Sequence, residues 1–173
     1  NILYESGYII NRNTFEWISE QKNYRGSLVV PGKYAIKDKM TNEALINHLR
    51  AGNGRLEVRI TFNNVRTKEQ LAGQISKNIE ADSLGIIDWL NNPDSIGRYG
   101  FDDNTILTFF LPNTYQMQWN TTAPALMQRM AKEYKSFWTA ARKEKAAAIG
   151  MSQSEVATMA SIVQAEQGAH AEE

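Results

Sequence analysis

Leu56, Val58, Ile60 and Phe62 alternate with Glu57, Arg59 and Thr61, and this period of two predicts a strand with one buried face. At the other end of the chain, Val156, Met159, Ala160 and Val163 recur at helical spacing, with Ile162 beside them. This predicts a helix over 152–168 whose apolar stripe is buried. Ser152 and Glu155 form an S-x-x-E capping box that starts it, and Gly168 suits the left-handed residue that ends many helices.

Elsewhere along the chain the pattern is shorter in range. YII at 8–10 reads as a short strand, Asn13 and Thr14 as caps for a helix over FEWISEQ, and Pro31–Gly32 as a turn into a strand over KYAIK. Thr41, with Ala44, opens a helix over TNEALINHLRAG that closes at Gly52. The expected order is strand, helix, strand, helix, with Phe15, Trp17, Ile18, Leu45, Ile46 and Leu49 supplying the apolar contacts. A turn at Asn53–Gly54 separates this small module, 1–54, from the remainder, 55–173. The remainder continues with helices capped by Thr67 and Asp82 and a loop over SIGRYGFDDN. Next come a buried strand over ILTFFLP ended by Pro112, and one long helical stretch over APALMQRMAKEYKSFWTAARKEKAAAIG. The fold class is α+β.

Composition narrows the chemistry. Nineteen basic residues balance nineteen acidic ones, so nothing electrostatic points to nucleic acid. With no cysteine, thiol catalysis and cysteine-bound zinc are excluded, and His48 and His170 show no ligand spacing, so no metal is expected. No apolar run reaches the roughly 18 residues that span a bilayer. The chain opens at Asn1 without methionine and ends in GAHAEE, and it reads as a piece of a longer protein at both ends.

Two groups carry candidate chemistry. Glu166 follows Ile162 and Val163 by three or four residues, which carries its carboxyl towards the apolar face at the end of the helix. Burial and the partial negative charge of a helix C-terminus both favour the protonated form that a general acid needs. The alternative is an ordinary solvated Glu. Tyr115 and Trp119, among Asn113, Thr114 and Gln118, combine aromatic faces with polar groups and could stack on a sugar or simply plug a core edge.

The run MASIVQAEQG resembles the ASIV-x-x-E-T-G signature of the MltG/YceG-like endolytic peptidoglycan transglycosylases. VPGKYAIKDKMTNEALINHLRAG resembles the LysM-like module of that family, EVRITFNNVRTKEQLAGQIS its strand and helix at the start of the catalytic domain, and PNTY with EYKSFW later stretches. The likeness covers nearly all of the chain and is closest to Bacteroidetes-type members. It implies a LysM-like module over 1–54 followed by a YceG-like catalytic domain over 55–173 whose C-terminal part is missing. It also implies a protein held in the inner membrane by one N-terminal helix outside this chain, facing the periplasm. Such a protein would cut nascent strands between N-acetylmuramic acid and N-acetylglucosamine to leave 1,6-anhydro ends.

On this likeness Glu166 matches the catalytic glutamate, while Gln164 stands where many members carry a first, non-essential Glu. Asn113, Thr114, Tyr115 and Gln167 are the expected substrate-binding residues, and Gln167 replaces the usual Thr. No cofactor is implied; peptidoglycan strands are the implied partner, with cell-wall synthases as further ones. The family's V-x-x-V-x-x-N-R-L and L-Q-x-D-P-T segments do not follow Glu173, so the chain as given is expected to be inactive by itself. The competing expectation is a non-catalytic peptidoglycan-binding or scaffold protein. The aminodeoxychorismate lyase label attached to this family would need pyridoxal phosphate, and the chain shows neither a Gly-rich phosphate loop nor a lysine in an apolar setting.

Overall fold

The computed structural model describes residues 2–52 and 54–170. It divides into two compact units, Asn1–Val58 with Gln116–Asn120, and Arg59–Tyr115 with Thr121–Glu173. The expected turn at Asn53–Gly54 falls partly outside the described residues.

The N-terminal unit is built on helices. α1 spans Ile2–Glu5, α2 Arg12–Gln21 and α3 Asn42–Ala51. The cap of α2 is Asn11, whose side chain accepts from the Thr14 N–H at 3.0 Å, so this helix begins ahead of the expected Asn13 and Thr14 caps. α3 follows the sequence closely: the Thr41 hydroxyl accepts from the Ala44 N–H at 3.1 Å, and Gly52 closes the helix at φ +66°. α2 and α3 pack together around Ile9, Phe15, Leu45, Ile46 and Leu49.

Neither expected strand of this unit forms. Residues 8–10 are irregular, with Ile9 in the core and Ile10 95% exposed, and KYAIK makes only an isolated bridge between Tyr34 and Arg55. Three apolar residues specify a strand only where a neighbouring strand can take up their backbone groups. Trp17 is 62% exposed and not part of the core, because two residues beyond Phe15 it lies across the helix from the packed face.

β1, Glu57–Phe62, pairs with β2, Asn113–Gln118, in a two-stranded sheet, and together with the helices this makes the chain α+β. In β1 the alternation is realised, with Ile60 and Phe62 buried between exposed neighbours. The Phe62 ring meets those of Phe110 and Tyr115, each at 5.5 Å, while on the exposed face the Thr61 and Thr114 hydroxyls share a hydrogen bond of 2.9 Å.

The second unit continues with α4, Lys68–Ser76, and α5, Ser83–Asn91, which pack on each other. Both caps are as expected: Thr67 accepts from the Gln70 N–H at 3.2 Å and Asp82 from the Gly85 N–H at 2.6 Å. Part of the expected loop over 95–104 belongs to α6, Pro93–Gly97, where Asn92 caps and Pro93 occupies the first turn.

ILTFFLP is buried but is not a strand. Ile106–Phe109 form a 3-10 turn, and the partner of β1 is instead the following polar segment. The Asp102 carboxylate sets this up, accepting from the Asn104 N–H, the Thr105 N–H and the Thr105 hydroxyl at 3.0, 2.9 and 2.7 Å.

The expected long helix is two, α7 Ala123–Phe137 and α8 Ala140–Ala148. Thr139 caps the second through the Arg142 N–H at 3.4 Å. The Arg142 guanidinium donates to the Phe137 carbonyl at 2.6 Å and lies 4.1 Å from the centre of its ring, which stabilises the break. The last helix is α9, Gln153–His170.

Candidate active site

α9 starts at its predicted capping box: the Ser152 N–H donates to Glu155 Oε2 at 2.7 Å and the Glu155 N–H to Ser152 Oγ at 3.2 Å. Hydrogen bonding from the Ser152 backbone, then from its side chain, holds the Glu155 carboxyl below its ordinary value of 4.5, against a smaller opposing effect of burial. The contribution of this bond to stability is therefore present above about pH 4.5 and is lost as pH falls through the lower folded value. Glu155→Gln is expected to lose less of its melting temperature than the parent on acidification, as followed by circular dichroism. Equal acid sensitivity in the two proteins would show that the box contributes nothing.

The first turns of α9 are docked. The Thr108 hydroxyl donates to the Thr105 carbonyl at 2.6 Å and shares a hydrogen bond of 3.1 Å with the Ser154 hydroxyl, tying the helix to the 3-10 segment. Further along, the helix departs from expectation. Ile162 and Val163 are 51% and 50% exposed, Met159 and Ala160 are exposed, and so is Glu166. The stripe has helical spacing, but only Val156 at its start is half-buried, and Met159, Ala160 and Val163 are left open. Gly168 does not stop the helix either, since α9 runs on to His170. A mid-helix glycine costs only about 1 kcal/mol and does not by itself terminate a helix. Neither the burial of Glu166 nor its place on the last turn is realised.

What the structure does give Glu166 is a groove. A cavity of about 1460 Å³ opens within the second unit. One wall is the loop from β1 to α4, with Asn63, Asn64 and Arg66; the 3-10 segment contributes Leu107 and Thr108, and Phe110 follows directly after it; α9 contributes Thr158, Ser161, Ile162, Glu166 and Gln167. Among the described residues, Glu166 is the one carboxylate and Arg66 the one cation that line it.

Gln167 thus joins Glu166, whereas Asn113, Thr114 and Tyr115 do not line the groove. Tyr115 is 4% exposed, its ring packs on Phe62, and its hydroxyl donates to the Leu111 carbonyl at 3.0 Å. Burial, then the charge of Glu133, raises its phenol above 10.0, with Arg129 opposing. Tyr115 plugs the core. Asn113 and Thr114 are exposed at the start of β2, where Asn113 accepts from the Thr114 N–H at 2.8 Å. Trp119 is half-buried and belongs to the N-terminal unit. His48 contacts the Ala35 carbonyl at 3.1 Å and the ring of Tyr34, and no cluster of metal-ligating side chains occurs among the described residues.

Sequence reasoning missed the loop wall. Its signal is the Asn-Asn pair between a period-two strand and a capped helix; Asn64 takes φ +52°, a conformation that asparagine tolerates better than most residues.

Fold and groove together define an α+β protein with one acidic side chain in an open cleft on a capped helix. The YceG-like family model matches the chain over residues 1–173. The chain belongs to the YceG-like family, which is associated with lytic transglycosylase activity and with the cell envelope. No curated protein matches it, and no solved structure does. Among the described residues no helix is long and apolar enough to cross a membrane.

Proposed function

We propose that this chain carries the catalytic groove of an endolytic murein transglycosylase, with Glu166 as both acid and base. The observation that supports this reading is that Glu166 is the single carboxylate lining the groove among the described residues. Hydrolysis of a glycosidic bond ordinarily uses two carboxyl groups about 5–9.5 Å apart, one of them to activate water or attack the sugar. Lytic cleavage needs one. Protonated Glu166 gives its proton to the oxygen between N-acetylmuramic acid and N-acetylglucosamine as the C1–O bond breaks. The carboxylate then takes the proton from the C6 hydroxyl while O6 closes on C1. The two products hold all the atoms of the substrate, and no water is consumed.

The substrate's own N-acetyl group stabilises the cation at C1, by analogy with other lytic enzymes. A bound strand fills the open groove and excludes water from the exposed Glu166, and the Gln167 amide, next along α9, takes the place of the family's Thr hydroxyl. The reading carries with it a position on the periplasmic side of the inner membrane. It also carries a glycan-orienting role for residues 1–54 as a LysM-like module.

The test is digestion of uncrosslinked strands by the full-length protein in water enriched in heavy oxygen, followed by mass spectrometry. New ends lighter by one water than hydrolytic ends, and without heavy oxygen, are expected. Heavy oxygen at the new reducing ends would make the protein a hydrolase.

A further inference from the structure

Among the described residues, the groove that holds Glu166 also holds one cation. Arg66 stands on the wall between β1 and α4, and its backbone is fixed from several directions. Its own N–H donates to Gln70 Oε1 at 3.0 Å, and Thr67, next to it, caps α4. Lys68 then hydrogen-bonds Asn91 at 3.0 Å and pairs with Asp103. The guanidinium itself is free: it is exposed, and among the described residues it has neither an ion-pair nor a hydrogen-bond partner. Arg12, Arg25 and Arg129, by contrast, are each paired with a glutamate. No ion pair joins Arg66 to Glu166.

An anchored backbone with an unpaired guanidinium facing a ligand groove is arranged to receive an anion. The planar fork of arginine matches a carboxylate through two parallel hydrogen bonds. In an intact peptidoglycan strand the lactyl carboxyl of each muramic residue is tied up as the amide to its peptide, so the sugars themselves offer hydroxyls and amides and the free carboxylates lie on the peptide branches. Resting on the reading of the groove as a glycan site, the geometry points to Arg66 as a specificity-determining residue. It binds a peptide-branch carboxylate and makes the groove prefer peptide-bearing strands to stripped ones.

The test separates this from catalysis by using binding. In a Glu166→Gln background, which holds substrate without cutting it, affinities are measured for glycan oligomers with their peptides and for the same oligomers stripped by amidase, with the freed lactyl carboxyls capped as amides. The additional change Arg66→Gln is expected to weaken binding of the peptide-bearing oligomers roughly 10-fold or more and to leave the stripped ones as they were. Arg66→Lys, which keeps the charge but not the fork, is expected to recover part of the loss. Equal loss on both ligands, no loss on either, or no binding of either ligand before Arg66 is changed would overturn the proposal. Should the parent make no anhydro ends while this binding preference is seen, the catalytic reading falls and the role of Arg66 stands.

Discussion

Replacing Glu166 by Gln is expected to lower the rate of anhydro-end formation by on the order of 10²–10⁴-fold or more, the usual contribution of a positioned proton donor or acceptor. The effect should reach the upper part of that range because the same side chain serves both proton transfers and, among the described residues, no second carboxylate lines the groove to substitute for it. The amide has nearly the same shape and keeps its hydrogen-bonding capacity, so KM should hold while kcat collapses, the signature of an interaction made only along the reaction path. Glu166 is exposed on a helix whose docking rests on Ser154 and Thr108, so the fold should be unaffected, and an unchanged melting curve is the control. Mass spectrometry of digests over time gives the rates. Parent-like cleavage by the variant would remove Glu166 from the mechanism.

Phe109→Ala is expected to cost about 3–5 kcal/mol of stability, a large share of the roughly 5–15 kcal/mol that holds a typical domain together. Phe109 is 1% exposed, and its ring meets those of Tyr99, Phe101, Phe110 and Tyr134 at 5.4, 5.2, 5.2 and 6.0 Å. Truncation removes the centre of this cluster, and the four rings around it cannot all move in to fill the space. The loss extends to function, because the 3-10 segment that places Phe109 in the core also places Leu107, Thr108 and Phe110 on the groove. Urea unfolding measures it. A fall in the midpoint equivalent to less than about 1 kcal/mol would mean that the cluster is not the centre of this unit.

These two residues also show what could be read in advance. The resemblance of MASIVQAEQG to the family signature singles out Glu166, and the helix that carries it is legible because a capping box and a 3.6-residue period involve atoms only a few positions apart. Thr41, Thr67 and Asp82 were legible as helix starts for the same reason. Phe109 was recognised as buried but placed in a strand. An apolar run carries the cost of exposure in its composition, whereas its backbone form depends on whether a partner strand lies alongside. That place beside β1 is taken by NTYQMQ, a segment with weak apolar alternation.

The site was less legible than the fold. Tyr115 has the composition of a sugar-stacking residue, yet a buried ring and a backbone-bonded hydroxyl leave it nothing to offer a ligand. Arg66 looked like any surface arginine, and only the path of the loop after β1 brings it to the groove.

The starts of α3, α4, α5 and α9, the buried face of β1 and the helix that carries Glu166 are determined by the amino-acid sequence alone, because each rests on contacts between near neighbours along the chain. Tertiary structure decided which apolar stripe is covered, which aromatic is core, and that Glu166 and Arg66 line one cleft. Those outcomes depend on surfaces contributed by residues far apart in the chain, and no local periodicity encodes them.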